Sequence, residues 1–549
     1  MTLSSSHAAR ADVLILGGGL AGLTLALQLR QSMPDLDVRI VERREHPVPV
    51  AAHKIGESSV EIGAHYFAET LGLKAHLDSA HLRKFGFRFF FSEGHEHLGG
   101  ATELGASRFL TTPSWQIDRG LFENFLAEEA QRRGVGFEDG ATVKTIDLDA
   151  EGDHQVTVAS KSGDERTLHA RWLVDAAGRA GLLKKKLGLA EANGHDANAV
   201  WFRIDARLDV DNWVEDPAWR ARCSPAARWL STNHLCGPGY WLWLIPLGSG
   251  AHSVGIVCDA KMHPLETMNT YDRAMQWIAQ YQPCVHEVLE AHRDKLMDFA
   301  FFKNYSYGCK QLLSSERWAL TGDAGRFLDP FYSPGSDFIA IANTYITELV
   351  AQDRAGKPTR TNARFYDEML RSLYDSSLAL YRDQYPLFGN PRVMPVKVLW
   401  DYTYYWGVMC PLFFQQRLTD RAALADLREP LMRARRVNDA MQGFLRAWGE
   451  QTMPPATAPA REPRPTAPML DQASLPWFAE LNRGLRDALD DQAFRARIRA
   501  NVELLEKLAA EIAWRGVQDD ARLAAQRSDA LPDGRPGDLL FTLAEPALA

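Results

Sequence analysis

A chain of 549 residues is longer than one ordinary hydrophobic core, so two or three domains are expected. Its 46% hydrophobic and 24% charged residues belong to a soluble globular protein, and a net charge of −8 argues against nucleic acid as the main partner. Six cysteines without a C-x-x-C pair exclude a disulfide framework or zinc ribbon, and no apolar run reaches the ~18 residues of a membrane span. The first ten residues are polar and lack a signal-peptide core, which makes the cytoplasm the default location.

The first element sets the frame. Val13 to Leu16 reads as a short buried strand and Leu20 to Arg30 as an apolar helix. Between them Gly17, Gly19 and Gly22 form a G-x-G-x-x-G turn, with Leu20 and Ala21 opening the helix. One glycine turns tightly, one admits a pyrophosphate, and one packs helix on strand. The phosphates then meet free N–H groups at the positive end of the helix. A second strand, Val38 to Val41, ends in Glu42 and Arg43, where a carboxylate can bind a ribose hydroxyl. A dinucleotide is expected here.

Next come Lys54-Ile-Gly56-Glu57-Ser58 and a helical segment to about Leu73. An aromatic strand is predicted over Phe85 to Phe91, directly after Arg83-Lys84. His95-x-His97 lies in a glycine-flanked loop without a third ligand, so no metal is expected. Arg119 opens a helix running to Arg133, and Thr142 to Leu148, His154 to Ala159 and Leu168 to Val174 alternate like strands. Lys184-Lys-Lys186 reads as a solvated face. A strand-rich, tryptophan-rich region follows, then a buried strand from Trp318 ending in Gly322-Asp323 and a helix over Phe338 to Ala351. The chain beyond about 360 reads as helical, with an aromatic run over Trp400 to Phe414 that suits a core helix or the wall of a cavity. Residues 452–472 form a proline-rich linker, and 473–549 a helical tail with a disordered end.

Three separated features favour FAD over NAD: the glycine turn with Glu42, Arg119 after an extended segment, and Asp323 suited to a ribityl chain. Their order resembles that of flavoproteins of the aromatic-hydroxylase fold. Two motifs narrow the likeness. Trp241-Leu-Trp243-Leu-Ile-Pro246 reads W-x-W-x-I-P, and Phe327 to Gly335 reads F-x-x-P-x-x-S-x-G. Both resemble signatures of flavin-dependent halogenases, as does the Lys54–Ser58 strap. The resemblance covers about residues 11–410 and implies an α/β fold. A Rossmann-like FAD domain (1–195, returning at 311–360) would carry an inserted β-sheet substrate domain (196–310) and an α-helical C-terminal region (361–451).

The resemblance also implies the chemistry. Reduced flavin and oxygen would convert halide into hypohalous acid, and Lys84 would orient or activate it beside the substrate. Desolvation by Phe85 and Phe87 would disfavour the ammonium form of that lysine. Trp241 and Trp243 would wall substrate from flavin. Halide would meet N–H groups of the Ser333-Pro334-Gly335 turn, but proline has no N–H, so one expected donor is missing. Members acting on free tryptophan carry glutamate before the serine; here Tyr332 stands there, which favours a phenol or pyrrole, free or on an acyl-carrier protein. Val174-Asp-Ala-Ala-Gly-Arg179 lacks the Asp-Gly of NAD(P)H-using hydroxylases, so a separate flavin reductase is expected. Two alternatives stay open: a halogenase-like monooxygenase or dehydrogenase that uses no halide, and a non-catalytic flavin-binding partner.

Overall fold

The computed structural model describes residues 10–51, 54–91, 97–452, 467–534 and 537–541. The chain forms two compact units, one from Met1–His81, Ile117–Gly194 and Ser306–Asp375, the other from Leu82–Gln116, His195–Tyr305 and Ser376–Ala549.

The first unit is built on a seven-stranded sheet. Its spatial order is Gly136–Glu138, Val38–Val41, Arg10–Leu16, Glu165–Asp175, His154–Ala159 and Thr142–Asp147, with Trp318–Leu320 also pairing to Glu165–Asp175. Arg10–Leu16 runs parallel to both neighbours, which is why Val13 to Leu16 is continuously apolar and fully buried. The helix Leu20–Ser32 follows at once and buries every residue from Leu20 to Leu29. It packs against the helices Arg119–Arg132 and Gly335–Arg354. The strand read as Leu168 to Val174 is longer, Glu165–Asp175. Its first half pairs antiparallel with His154–Ala159 and its last three residues parallel with Trp318–Leu320.

The second unit carries an eight-stranded sheet: Leu296–Phe302, Ala197–Ile204, His252–Asp259, Tyr240–Pro246, Thr232–Gly237, Phe87–Phe91, Thr102–Gly105 and Met469–Asp471. Side-chain alternation gives it two chemically different faces. One is aliphatic: Val200, Leu235, Leu242, Leu244, Val254 and Ile256 join a core with the helices Tyr271–Tyr281 and Pro283–Glu290. The other carries Phe87, Phe89, His234, Trp241 and Trp243, with His234 in register with both Phe89 and Trp243.

Four features differ from the sequence expectations. The strand predicted over Phe85 to Phe91 begins at Phe87, because Gly86 adopts φ +76° and breaks it from the two-residue strand Leu82–Arg83. The helix after the strap contains a π-helical turn over Tyr66–Thr70, and the aromatic run contains another over Tyr405–Met409. Lys185 and Lys186 are exposed as expected, but Lys184 turns inward and is buried. His95 and residues 453–466 of the expected linker lie outside the described residues. The tail is helical over Asp491–Asp519, while 537–541, expected as part of a disordered end, are held by Arg515, whose Nη1 donates to Phe541 O at 2.6 Å. All six cysteines are free thiols. Among the described residues no helix is long and apolar enough to cross a membrane.

Candidate functional site

In the glycine turn of the first unit, two glycines are held against neighbouring backbone and the third faces open space. Gly17 has φ +116°, and a Cβ there would meet the carbonyl of Ala176 at 2.4 Å. At Gly22 a Cβ would lie 2.0 Å from the Gly17 carbonyl, so helix and strand approach only because it is absent. A Cβ at Gly19 would instead face open space, and Gly19 caps the helix without a side-chain bond. The helix start is therefore open and its N–H groups point outward, which is the cradle a pyrophosphate fills. Glu42 is fixed beside it, accepting from Gly18 N at 2.6 Å and Arg44 N at 2.7 Å. Arg43 is exposed, and Leu20 and Ala21 are buried in the first helical turn.

The strap and Arg119 form one assembly. Arg119 Nη1 donates to Ile55 O at 2.7 Å and Nη2 to Glu123 Oε1 at 2.5 Å, and Glu123 also pairs with Lys54. Gly56 has φ +88°, and a Cβ there would lie 2.8 Å from Arg119 Nη1. Glu57 and Ser58 are buried, and the Glu57 carbonyl accepts from Ile117 N at 2.5 Å.

Asp323 sits on a single turn of 3-10 helix after Trp318–Leu320. Burial pushes its carboxyl pKa up, opposed by the charges of Arg179, Arg119 and Lys184. Sequence reasoning missed the last of these as a site residue. Lys184 Nζ donates to Gly325 O at 3.0 Å and lies 3.8 Å above the Tyr307 ring, and burial lowers its pKa. Tyr307 in turn donates to the Asp323 carbonyl at 2.6 Å. Asn343 was also missed. Its fully buried amide joins Ala21 O, Thr24 Oγ1 and Tyr66 OH at 3.1–3.3 Å and accepts from Thr321 Oγ1 at 2.7 Å. An asparagine inside a helical pattern carries no sequence signal of that kind.

The Phe327–Gly335 motif ends in a short turn, Pro330–Tyr332. Ser333 adopts left-handed geometry (φ +51°) and donates its N–H to Pro330 O at 2.9 Å. Pro334 caps the helix Gly335–Arg354, and a Cβ on Gly335 would meet nothing within 4 Å. Of this turn, the N–H groups of Gly335 and Ser336 precede the first intrahelical bonds, which Asp337 and Phe338 make to the Pro334 carbonyl. Tyr332 is partly exposed and lies edge-on to Phe331 at 4.8 Å.

The second unit places Lys84 in the break between strands. Its N–H donates to Ser114 O, the Phe85 N–H to Leu230 O, and Gly86 O accepts from Thr232 N, so the segment is fixed on both sides. Lys84 is only 4% exposed, with its ammonium 3.4 Å above the Phe87 ring centroid, a cation–π contact. Trp241 Nε1 donates to Tyr385 OH at 3.1 Å, and Trp243 Nε1 to Ser253 Oγ at 3.1 Å. His234 packs against Phe87, Phe89 and Trp241 at centroid distances of 5.3, 4.9 and 4.8 Å. Burial first, and then the charge of Lys84, push its pKa well below the usual imidazole value, so it is neutral. No motif pointed to it.

Comparison with known proteins agrees with the nucleotide cradle. The FAD binding domain family matches residues 10–324. A flavin-dependent halogenase (chlA) of Dictyostelium discoideum is 26% identical over 468 residues, covering 77% of this chain and 75% of that protein. A 1H-pyrrole-2-carbonyl-[peptidyl-carrier protein] chlorinase of Pseudomonas fluorescens is 27% identical over 387 residues, covering 66% and 80%. Among solved structures, the halogenase PltM in complex with phloroglucinol and FAD shares the fold with a TM-score of 0.63 at 16% identity, over 91% of this chain and 96% of that one.

Proposed function

The chain belongs to the FAD binding domain family and is an FAD-dependent enzyme of the oxidoreductase type, and from that premise we propose that it halogenates an electron-rich aromatic ring. The residues fit FAD: an open, uncapped helix start at Gly19, Glu42 at the end of the second strand, and Asp323 under three cations. When bound and reduced, FAD supplies the oxygen chemistry that turns halide into hypohalous acid. The reduced form comes from a separate flavin reductase.

The single observation that carries the reading is Lys84. A lysine held with its ammonium on an aromatic ring and almost no solvent contact is a poor surface charge and a good donor to a small polar oxidant. Hydrogen-bonded to hypohalous acid, it makes hydroxide a better leaving group and makes the halogen more electrophilic. Phe87, Trp241 and Trp243 stand on one face of the sheet, and an aromatic face of this kind favours a flat aromatic substrate over a charged one. Phenols and pyrroles are the substrate class; the carrier-bound pyrrole named for one relative makes a tethered substrate reasonable here too.

One observation favours a second reading, an oxygenase without halide. Ser333 N–H is committed to Pro330 O and Pro334 has none, so the turn offers only Gly335 and Ser336 as anion donors. One assay separates the two. Protein, FAD, reductase and bromide or chloride are incubated with candidate phenols and pyrroles, and products are weighed by mass spectrometry. Incorporated halogen is expected, and its loss in Lys84→Ala; a gain of one oxygen without halogen would establish the second reading.

A further inference from the structure

Behind the Lys84 segment lies a group of charges that the chemistry above does not use. Alternation along Phe87–Phe91 puts Phe87 and Phe89 on the aromatic face and turns Arg88 to the opposite one. There Arg88, Glu103 and Arg228 are 0% exposed and Asp211 is 6% exposed, so all four are cut off from water. Glu103 Oε1 accepts from Arg88 Nη1 and, at 2.8 Å, from Arg228 Nε. Arg228 Nη1 donates to Asp211 Oδ1 at 3.0 Å, and its guanidinium lies 3.8 Å over the Trp219 ring. The two arginines and two carboxylates balance in charge. Yet such a set is a poor source of stability, since apolar side chains of the same volume often do as well or better.

Both arms of Glu103 lead to the Lys84 segment. On one side Arg88 Nε donates to Ser231 Oγ at 3.4 Å, and Ser231 Oγ donates to the Phe85 carbonyl at 3.3 Å. On the other, Arg228 opens the turn Arg228–Leu230, whose last carbonyl accepts from Phe85 N at 3.0 Å. Thr232 N then donates to Gly86 O at 3.1 Å. One carboxylate therefore ties the strands Phe87–Phe91 and Thr232–Gly237 together where the bend at Gly86 carries Lys84 out of the ladder. Resting on the halogenation reading, we propose that Glu103 is a positioning residue: through Arg88 and Arg228 it fixes the backbone that holds the Lys84 ammonium on Phe87. An ammonium that must meet a small oxidant tolerates little displacement, because an error of about 1 Å can cost ~100-fold in rate. Oxidant that misses the lysine escapes to water.

The test uses two variants of the full-length protein. Ser231→Ala cuts the tie from Arg88 to the Phe85 carbonyl and leaves every buried charge paired. Arg88→Met with Glu103→Leu removes one charge of each sign and leaves Arg228 on Asp211, so its melting temperature is expected to stay close to wild type. Each is supplied with FAD, reductase, bromide, resorcinol and excess methionine, whose sulfoxide counts the hypobromite that leaves the protein. Flavin reoxidation is expected at the wild-type rate, with bromoresorcinol lower by about 10-fold or more and sulfoxide raised to match. Amide exchange over residues 84–86, read by mass spectrometry, is expected to be faster in both variants. A wild-type yield in either folded variant, or a lower yield without faster exchange at 84–86, overturns the role. So does loss of the folded state in both, which would make these charges part of the fold at large. Failure of wild-type enzyme to brominate resorcinol, phenol or pyrrole-2-carboxylate removes the halogenation reading instead. Exchange needs no halide, and in that case it still decides whether Glu103 holds residues 84–86.

Discussion

At Gly255 an absent side chain positions a present one. A Cβ there would lie 2.1 Å from the Trp243 ring, so the indole lies flat on the neighbouring strand and reaches Ser253 only because the position is bare. Gly255→Ala must push the ring off its seat, an overpacking that costs about 1–3 kcal/mol. Urea unfolding should register that loss, together with a changed tryptophan emission; unchanged stability and emission would show the indole seated elsewhere. The residue scale is also where the sequence speaks most unevenly. Gly17, Gly19, Gly22 and Glu42 were legible because their roles follow from local spacing within one strand-turn-helix unit. Arg119 and Asp323 needed only their positions at element ends. Lys184 and His234 were not legible, because nothing in K-K-K or in N-H-L-C says which strand will pack beside them. A lysine run ordinarily signals solvent, and here one of the three turns inward onto Tyr307.

The stretch that departs most from expectation is the end of the expected linker, Met469–Asp471, together with the tail that follows it. Met469–Asp471 extends the eight-stranded sheet by pairing with Thr102–Gly105, and the Asp471 carboxylate accepts from both Ser107 N and Oγ at 2.7–2.8 Å. Farther on, Asp491–Asp519 buries Phe494, Ile498, Val502, Leu505, Leu508 and Ile512 along one stripe. Asn501 donates to the Gly407 carbonyl at 2.8 Å, inside the π-helical turn of the aromatic run. The stripe was legible as helical periodicity, but its partner was not, since a single helix does not name the surface that buries it. Each of those side chains contributes about 1.5–3 kcal/mol on burial, together comparable to the net stability of a whole domain. Truncation after Thr452 should therefore yield insoluble or unfolded protein rather than a trimmed enzyme. A soluble truncated chain melting at the full-length temperature would show that the tail is an independent appendage.

Across the whole molecule, each unit is assembled from three separated stretches, so neither could be cut out as a continuous segment. The central parallel strands and first helix of the first unit were readable, because parallel strands followed by helices carry continuous apolar runs that have few other solutions, whereas the edge strand Gly136–Glu138 was not. The second was readable only over its central strands. Recruitment of Phe87–Phe91, Thr102–Gly105 and Met469–Asp471 into one sheet depends on pairings across hundreds of residues. The division of labour predicts how electrons enter. Asp175, in the segment whose sequence lacks an Asp-Gly pair, spends its carboxylate on Ala177 N and Leu183 N at 3.0 and 2.7 Å. NADPH alone, without oxygen, should leave the bound FAD yellow until a flavin reductase is added, and rapid bleaching by NADPH alone would contradict this. Halogen transfer through Lys84 is tested most directly by bromide incorporation in wild type and Lys84→Ala side by side, with flavin turnover followed in the same samples. Halogenation at Lys84 predicts equal flavin reoxidation in both proteins and ring bromination lower by about 100-fold or more in the variant. Equal bromination by the two, or a product that gains oxygen and no bromine, would contradict it.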